Sequence, residues 1–119
     1  MNINDLIDYI DDVTFVDKKN PYNISMIYFS NISESYIETK KIALNCDIMD
    51  YTDWRLPTIN ELEYINKISF RRFRSGWYWS SDESKNFAKI IHFSSLDNTT
   101  TYIENEDRND KHHWFILIR

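Results

Sequence analysis

A proline and a threonine, with a glutamate three residues after the threonine, constrain this chain more than any other local pattern. Pro57 ends the segment before it, because its ring and its missing N–H do not fit a helix interior. Thr58 and Glu61 have the spacing of a capping box, in which each side chain satisfies the exposed backbone amide of the other. Apolar side chains then recur at helical spacing, at Ile59, Leu62 and Ile65. We therefore predict a capped helix over residues 58–68.

Two further helices are predicted on the N-terminal side of this one. The spacing of the apolar residues from Ile3 to Ile10 predicts a short helix within residues 1–12. Ser33 is placed to cap a second helix over residues 34–46. The predicted buried face of that second helix consists of Tyr36, Ile37, Ala43 and Leu44. Cys46, at its end, is expected to be a small buried apolar side chain.

Short apolar runs predict the strands. They lie at residues 13–16, 24–29, 77–81, 87–93, 98–103 and 114–118. We expect residues 77–81 to end in a serine turn, residues 98–103 to pair with residues 87–93, and residues 104–111 to be polar and mobile. The order of elements predicts an α+β fold in one domain over residues 1–119, with residues 1–12 as a helical extension. Two helices would pack on a mixed or antiparallel sheet with long irregular loops.

The charge of the chain argues against several classes of partner. The formal net charge is −5, which disfavours binding to duplex nucleic acid or to an anionic membrane. Acidic side chains outnumber basic ones in residues 1–53, whereas basic ones outnumber acidic ones in residues 54–95. The N-terminus lacks the basic and apolar regions of a signal peptide, and no run reaches the roughly 20 apolar residues of a membrane span. We therefore expect a soluble, cytoplasmic, acidic domain.

The sequence holds no pattern that predicts catalysis. Cys46 is the one cysteine, so an intrachain disulfide and a cysteine zinc cluster are excluded, and no histidine lies near it in sequence. One glycine cannot supply a phosphate-binding loop. The acidic stretch at residues 104–112, with His112 and His113, is either a solvated loop or a site for an ion such as calcium, and we favour the loop. The prediction is a non-enzyme with no cofactor and no metal.

Several phrases together resemble the Lcl C-terminal domain family of bacteria. The most specific are Asp53-Trp54-Arg55-Leu56-Pro57-Thr58 with Glu61-Leu62, and Tyr78-Trp79-Ser80-Ser81. The resemblance extends over about residues 13–119 and implies a C-type-lectin-like fold, related in shape to the formylglycine-generating enzymes. Members are often exported modules with roles in adhesion and ligand binding. This chain departs from the family in lacking an export signal and the glycines usual before the Asp-Trp phrase.

The residues of this signature are expected to have structural roles. They are Trp54, Arg55, Pro57, Thr58, Glu61 and Trp79. A tryptophan just before a capped helix is expected to pack under the start of that helix. Arg55 is expected to make a two-pronged contact with a carboxylate or with backbone carbonyls.

A segment that mixes arginines with aromatic residues is the candidate binding surface. It contains Arg71, Arg72, Phe73, Arg74, Trp77 and Tyr78, which are residue types that dominate binding hot spots. Alternatively, these aromatic rings enter the core and the arginines pair with the acidic N-terminal half. We predict a non-enzymatic binding module that recognises a protein or a glycan through a loop-rich face, formed by residues 69–79 and 94–112. The alternative is an intracellular inhibitor or immunity-type protein that masks a basic target with its acidic N-terminal half.

Overall fold

The computed structural model describes residues 10–15, 25–29, 32–69, 73–94, 102–109 and 111–119. In these ranges the strands are β1 (Ile10–Phe15), β2 (Ser25–Phe29), β3 (Gly76–Glu83), β4 (Phe87–Phe93), β5 (Tyr102–Asp107) and β6 (Ile116–Ile118). The α-helices are α1 (Tyr36–Leu44) and α2 (Ile59–Ser69), and a single 3-10 turn spans Ile48–Asp50. The chain is therefore α+β, as predicted, and its sheets are antiparallel.

Within the described residues, a short parallel contact joins two three-stranded sheets. One sheet has the order β1-β2-β6 and the other the order β3-β4-β5. Trp114 lies just before β6, where its N–H donates to the carbonyl of Trp77 and its carbonyl accepts from the N–H of Trp79, both at 3.0 Å. Because of this contact, β3 runs beside the segment that leads into β6.

The strands bury side chains on both faces, and each face carries one helix. Neighbouring residues of a strand point to opposite faces, so β2 sends Ile27 and Phe29 to one side and Met26 and Tyr28 to the other. The first side holds the α1 core, which includes Ile42, Ala43, Cys46, Trp54, Trp79 and Leu117. The second side holds the α2 core, which includes Ile59, Leu62, Ile65, Phe73, Tyr78 and Ile118. Continuous apolar strands such as β6 arise because both faces are covered.

The predicted start of α2 is confirmed. The backbone N–H of Glu61 donates to Oγ1 of Thr58 at 3.2 Å, and the N–H of Thr58 donates to Oε1 of Glu61 at 2.9 Å. The stripe of Ile59, Leu62 and Ile65 is buried. Asp82, near the end of β3, accepts a third exposed amide, that of Ile59, at 2.7 Å. The helix is thus capped both locally and from a distant strand.

The predicted bounds of α1 are wrong at both ends. Ser35, not Ser33, caps the helix, because its Oγ accepts from the N–H of Glu38 at 3.3 Å. Glu34 is unavailable to a helix, since its backbone exchanges two hydrogen bonds with His113, at 3.0 and 3.1 Å. The predicted buried face is right for Tyr36 and Ala43 but wrong for Ile37 and Leu44, which are exposed. Cys46 lies beyond the helix and is buried, as predicted.

Three other predictions need correction. Residues 10–12 belong to strand β1 and not to a helix, because they pair with β2; the rest of the predicted N-terminal helix lies outside the described residues. β3 continues through Ser80 and Ser81 to Glu83 instead of ending in a serine turn. Residues 104–107 are not a mobile loop but part of β5, which pairs with β4 as an edge strand. Their polarity reflects that exposed edge.

Candidate functional site

The structure divides the predicted arginine–aromatic surface. Phe73 and Tyr78 are buried in the α2 core, and their rings lie against Phe93 with centroids 5.7 and 4.5 Å away. Buried rings cannot contact a ligand, so the prediction is wrong for these two residues. Arg71 and Arg72 lie outside the described residues.

Among the described residues of that segment, Arg74 and Trp77 retain exposed surface. Arg74 is exposed, and its guanidinium lies 4.5 Å from the centre of the Trp114 ring. Trp77 is half-buried and packs edge-on against His92, with ring centroids 5.1 Å apart. Two tyrosine hydroxyls fix the backbone of Arg74. Its N–H donates to the Tyr28 hydroxyl and its carbonyl accepts from the Tyr78 hydroxyl, both at 2.7 Å. The described part of the segment is therefore anchored to the α2 core through the backbone of Arg74.

The signature tryptophans are structural anchors of the α1 core. Trp54 is buried, and its indole N–H donates to the carbonyl of Ile48 at 3.1 Å. It lies in the cluster of α1 and not in the cluster beneath α2, so the expected packing under the start of α2 is not found. Trp79 donates its indole N–H to the carbonyl of Glu34 at 2.7 Å. Both rings thus secure the chain around α1.

A pocket opens beside α1 and includes part of the signature in its wall. It has a volume of about 160 Å³ and lies between α1, the Trp54–Leu56 segment and the end of β3. Its lining residues are Tyr36, Lys40, Ala43, Leu44, Trp54, Arg55, Leu56, Ser81 and Glu83. The helical members recur at i, i+4, i+7 and i+8, so they lie along one face of α1. Leu44, at the rim, is 79% exposed.

One wall of the pocket is a network of charges around Tyr36. Glu83 pairs with Lys40 at 3.1 Å and with Arg108 at 3.3 Å. The two cations also lie 5.5 and 5.3 Å from the centre of the Tyr36 ring. Burial, and then a hydrogen bond to Glu83, raise the pKa of the Tyr36 hydroxyl far above its ordinary value. Burial alone would raise the pKa of Glu83, but hydrogen bonds from Tyr36 and Lys40 and the charge of Arg108 lower it.

Arg55, which also lines the pocket, forms a second charged pair with Glu61. The guanidinium of Arg55 donates to both oxygens of Glu61, at 2.7 and 2.8 Å, and also to the carbonyl of Leu56 at 3.3 Å. This is the two-pronged contact predicted for Arg55. The carboxylate is buried whereas the Arg55 side chain is 49% exposed. Burial would raise the pKa of Glu61, but the bonds from Arg55 and Thr58 hold it below its ordinary value.

The rim of the pocket offers hydrogen-bond donors more than acceptors. A guanidinium carries five N–H groups, and Arg55 uses three of them on described residues, which leaves Nε–H and one Nη2–H. The ammonium of Lys40 bonds only to Glu83 within the described part of the chain, so two of its N–H groups point elsewhere. Both oxygens of Glu83 are already engaged by cations. An apolar floor thus lies beneath unused cationic donors.

Sequence reasoning missed most of the pocket. It singled out Trp54 and Arg55 for structural roles only, and it assigned Leu44 to the core. The available signal was the face of α1 on which Tyr36, Lys40 and Leu44 follow one another four residues apart. No local pattern indicates that this face meets Ser81 and Glu83.

The described residues hold no group of three His, Cys, Asp or Glu side chains arranged to bind a metal ion. Two acidic residues of β5 have partners within the protein: Glu106 lies 3.0 Å from Nε2 of His113, and Asp107 accepts from the N–H of Asn109 at 2.8 Å. Among the described helices, none has the length and apolar character needed to cross a membrane.

In comparisons with known proteins, no family model, no curated protein and no solved structure matches this chain.

Proposed function

We propose that this domain is a non-enzymatic binding module, and that its pocket beside α1 receives one large apolar side chain of a protein partner. The observation that carries the proposal is an open pocket with an apolar floor, formed by Ala43, Trp54 and Leu56, and an exposed leucine at its rim. A single exposed leucine is ordinary on a protein surface. Leu44 gains significance because it adjoins a concave apolar site.

The size of the pocket favours one side chain over a larger ligand. Pockets for drug-sized molecules usually measure about 300–1,000 Å³, whereas this one measures about 160 Å³. A cavity of about 150 Å³ is enough for a benzene molecule. A phenylalanine or leucine side chain therefore fits the space, and the rest of the partner would lie on the rim.

A protein partner is favoured over a glycan by the burial of the aromatic rings. Aromatic side chains supply large contact areas when their surfaces are open to the partner. Tyr36 is 1% exposed and Trp54 is 4% exposed, so both have little free ring surface to offer to a sugar. The partner instead meets aliphatic carbon and cationic groups.

The titratable groups of the pocket support binding and not catalysis. A general acid or base is most effective when its pKa lies near the working pH. Here the pKa values of Glu61 and Glu83 are lowered and that of Tyr36 is raised, so all three move away from neutrality. At neutral pH Glu61 and Glu83 therefore stay ionised and Tyr36 stays neutral.

The resemblance to the Lcl C-terminal domain family forms part of this proposal, as does a C-type-lectin-like arrangement of the α+β fold. The resemblance rests on the two phrases of the sequence, Asp53 to Leu62 and Tyr78 to Ser81. In the structure, Trp54, Arg55 and Leu56 of the first phrase line the pocket, and Thr58 caps α2. A domain of that kind binding a protein partner would use a rigid scaffold to present the pocket.

The test uses two exposed aliphatic residues of the same helix. Leu44→Glu puts a carboxylate at the rim of the pocket, and Ile37→Glu makes the same change away from it. A random-peptide display library is panned against the parent domain. We expect enriched peptides with one large apolar residue, which bind the parent and Ile37→Glu but not Leu44→Glu. Enrichment that survives Leu44→Glu, or no enrichment above an unrelated acidic protein, contradicts the proposal.

A further experiment tests the alternative function, an inhibitor that uses its acidic N-terminal half as the contact surface. Asp47 and Asp50 are exposed and are exchanged together for lysine. Under the proposal this double variant keeps the enriched peptides. Loss of binding in the double variant together with retention in Leu44→Glu assigns binding to the acidic half instead.

A further inference from the structure

The hydrogen-bond donors at the rim of the pocket indicate the chemistry of the ligand, whereas the volume of the pocket indicates only its size. Lys40 and Arg55 approach the pocket from different elements, α1 and the segment before α2. Each retains N–H groups that bond to no other described residue, and each side chain is roughly half exposed, at 44% and 49%. Ligand atoms at the rim therefore meet two cations.

The nearby carboxylates offset the charges of these two cations but leave part of their hydrogen-bonding capacity unused. Glu83 is held between Lys40 and Arg108, and Glu61 is buried between Arg55 and the start of α2. Both acids therefore direct their lone pairs toward the protein's own donors. A ligand acceptor can still reach the remaining N–H groups of Lys40 and Arg55.

We propose that the pocket selects an acidic peptide segment, in which one large apolar side chain is flanked by carboxylates. This inference rests on the proposed function and adds the chemistry of the partner to it. The apolar side chain enters the space above Ala43 and Leu56, and the flanking carboxylates accept hydrogen bonds from Lys40 and Arg55. Charge-assisted bonds of this kind are shorter and stronger than neutral ones.

The overall charge of −5 does not prevent such binding. At an ionic strength of about 0.1 M, charges are screened over about 10 Å, so the acidic groups far from the pocket contribute little. Within that range Glu61 and Glu83 offset the charges of Arg55 and Lys40, and the preference rests on the N–H groups of these two cations that bond to no other described residue. Long-range repulsion slows the approach of an acidic peptide at low salt. The contact itself is set by the groups within hydrogen-bonding distance.

The experiment uses three short peptides with blocked ends: Glu-Phe-Glu, Gln-Phe-Gln and Glu-Ala-Glu. Binding to the isotope-labelled full chain is followed by NMR chemical shifts of the backbone amides of Lys40, Leu56 and Ser81. We expect Glu-Phe-Glu to bind about fivefold more tightly than Gln-Phe-Gln, the ratio that about 1 kcal/mol from exposed ion pairs produces. Glu-Ala-Glu should cause no saturable shifts at the pocket.

Two neighbouring lysines provide the matched variants. Lys40→Gln removes the charge at the rim, whereas Lys41→Gln makes the same change one residue away, on a side chain that is 63% exposed and outside the pocket. We expect Lys40→Gln to reduce the preference for Glu-Phe-Glu over Gln-Phe-Gln from about fivefold to about twofold, because Arg55 remains, and Lys41→Gln to retain it in full. Equal losses in both variants would show non-specific attraction and overturn the inference.

The outcomes separate this inference from the function on which it rests. Equal binding of Glu-Phe-Glu and Gln-Phe-Gln at the pocket refutes the acidic preference but leaves a pocket for an apolar side chain. Failure of both phenylalanine peptides to shift the pocket amides contradicts the inference and also the proposed function. Equal shifts with Glu-Ala-Glu refute the role of the apolar side chain.

Discussion

Arg55 holds Glu61 by two nearly equal hydrogen bonds, at 2.7 and 2.8 Å, and by this contact joins the wall of the pocket to the start of α2. The same carboxylate accepts the backbone N–H of Thr58. A buried acid that is left without its cation is costly, because burial penalises its charge. The pair therefore couples the stability of the helix start to the shape of the proposed binding site.

Replacing Arg55 by alanine should lower the free energy of unfolding by about 1–3 kcal/mol, the cost of leaving a buried polar group short of its partner. The half-exposed position of Arg55 keeps the loss below that of a fully buried ion pair. Urea denaturation gives the value. Lys41→Ala, a loss of cation on the exposed surface of α1, is the control and should change stability by less than about 0.5 kcal/mol. Equal effects of the two substitutions would contradict the structural role of the pair.

Acid should destabilise the domain through Glu61 and Glu83. The folded-state pKa of each is lower than in the unfolded chain, so their contribution to stability is complete above the unfolded pKa of about 4.3 and is lost as the pH falls through the folded pKa. Urea unfolding measured between about pH 3 and pH 7 should show stability decreasing below about pH 5. Glu61→Gln should flatten this decrease, whereas Glu63→Gln, on an exposed residue of the same helix, should leave it steep.

Gly76 should tolerate no side chain. Its φ is 147°, and a Cβ atom there would lie 2.7 Å from Nε1 and 2.9 Å from Cδ1 of Trp114. We expect Gly76→Ala to cost about 1–3 kcal/mol in the free energy of unfolding, from backbone strain and from the clash together. In a double-mutant cycle with Trp114→Ala, the clash is relieved while the strain remains, so the two effects should be less than additive. Strict additivity would show that the tryptophan is not the obstacle.

The sequence alone predicts those elements whose determinants are local. The start of α2 depends on Thr58 and Glu61, three residues apart, and β4 spans the predicted residues 87–93. The start of α1 was misplaced because Glu34 is paired with His113, far away in the chain. A strand was predicted over residues 98–103, but the polar continuation of β5 to Asp107 was not, because an exposed edge strand lacks the apolar alternation that identifies a half-buried one.

The candidate site could not be predicted from the sequence either, because its residues are far apart in the chain. Its lining comes from α1, from the segment before α2 and from the end of β3, and only tertiary packing brings these together. The arginine–aromatic segment looked more like a binding surface because its residues lie within eight positions of one another in the sequence. Burial of Phe73 and Tyr78 follows from the second apolar face of the sheet, which composition does not reveal.

Two small buried residues of the α1 core provide a test of whether the pocket is an unfilled volume in solution. Ala43 lines the pocket, whereas Ala88 is buried in β4 outside it. Ala43→Leu should therefore leave stability unchanged or raise it by about 0.5–1 kcal/mol, because the added atoms fill an existing hollow. Ala88→Leu should cost about 1–3 kcal/mol, since extra methyl groups in a filled core force its neighbours apart.

The same substitution should separate stability from binding. With the pocket filled, Ala43→Leu should lose the saturable NMR shifts that Glu-Phe-Glu causes at Leu56 and Ser81, although the protein remains as stable as the parent. Urea denaturation and peptide titration of one sample measure both properties. If Ala43→Leu is destabilised as much as Ala88→Leu, the space beside α1 is closed in solution. If it is stable and still binds the peptide, the apolar side chain docks elsewhere, because a leucine at position 43 occupies the volume that the proposal assigns to the partner.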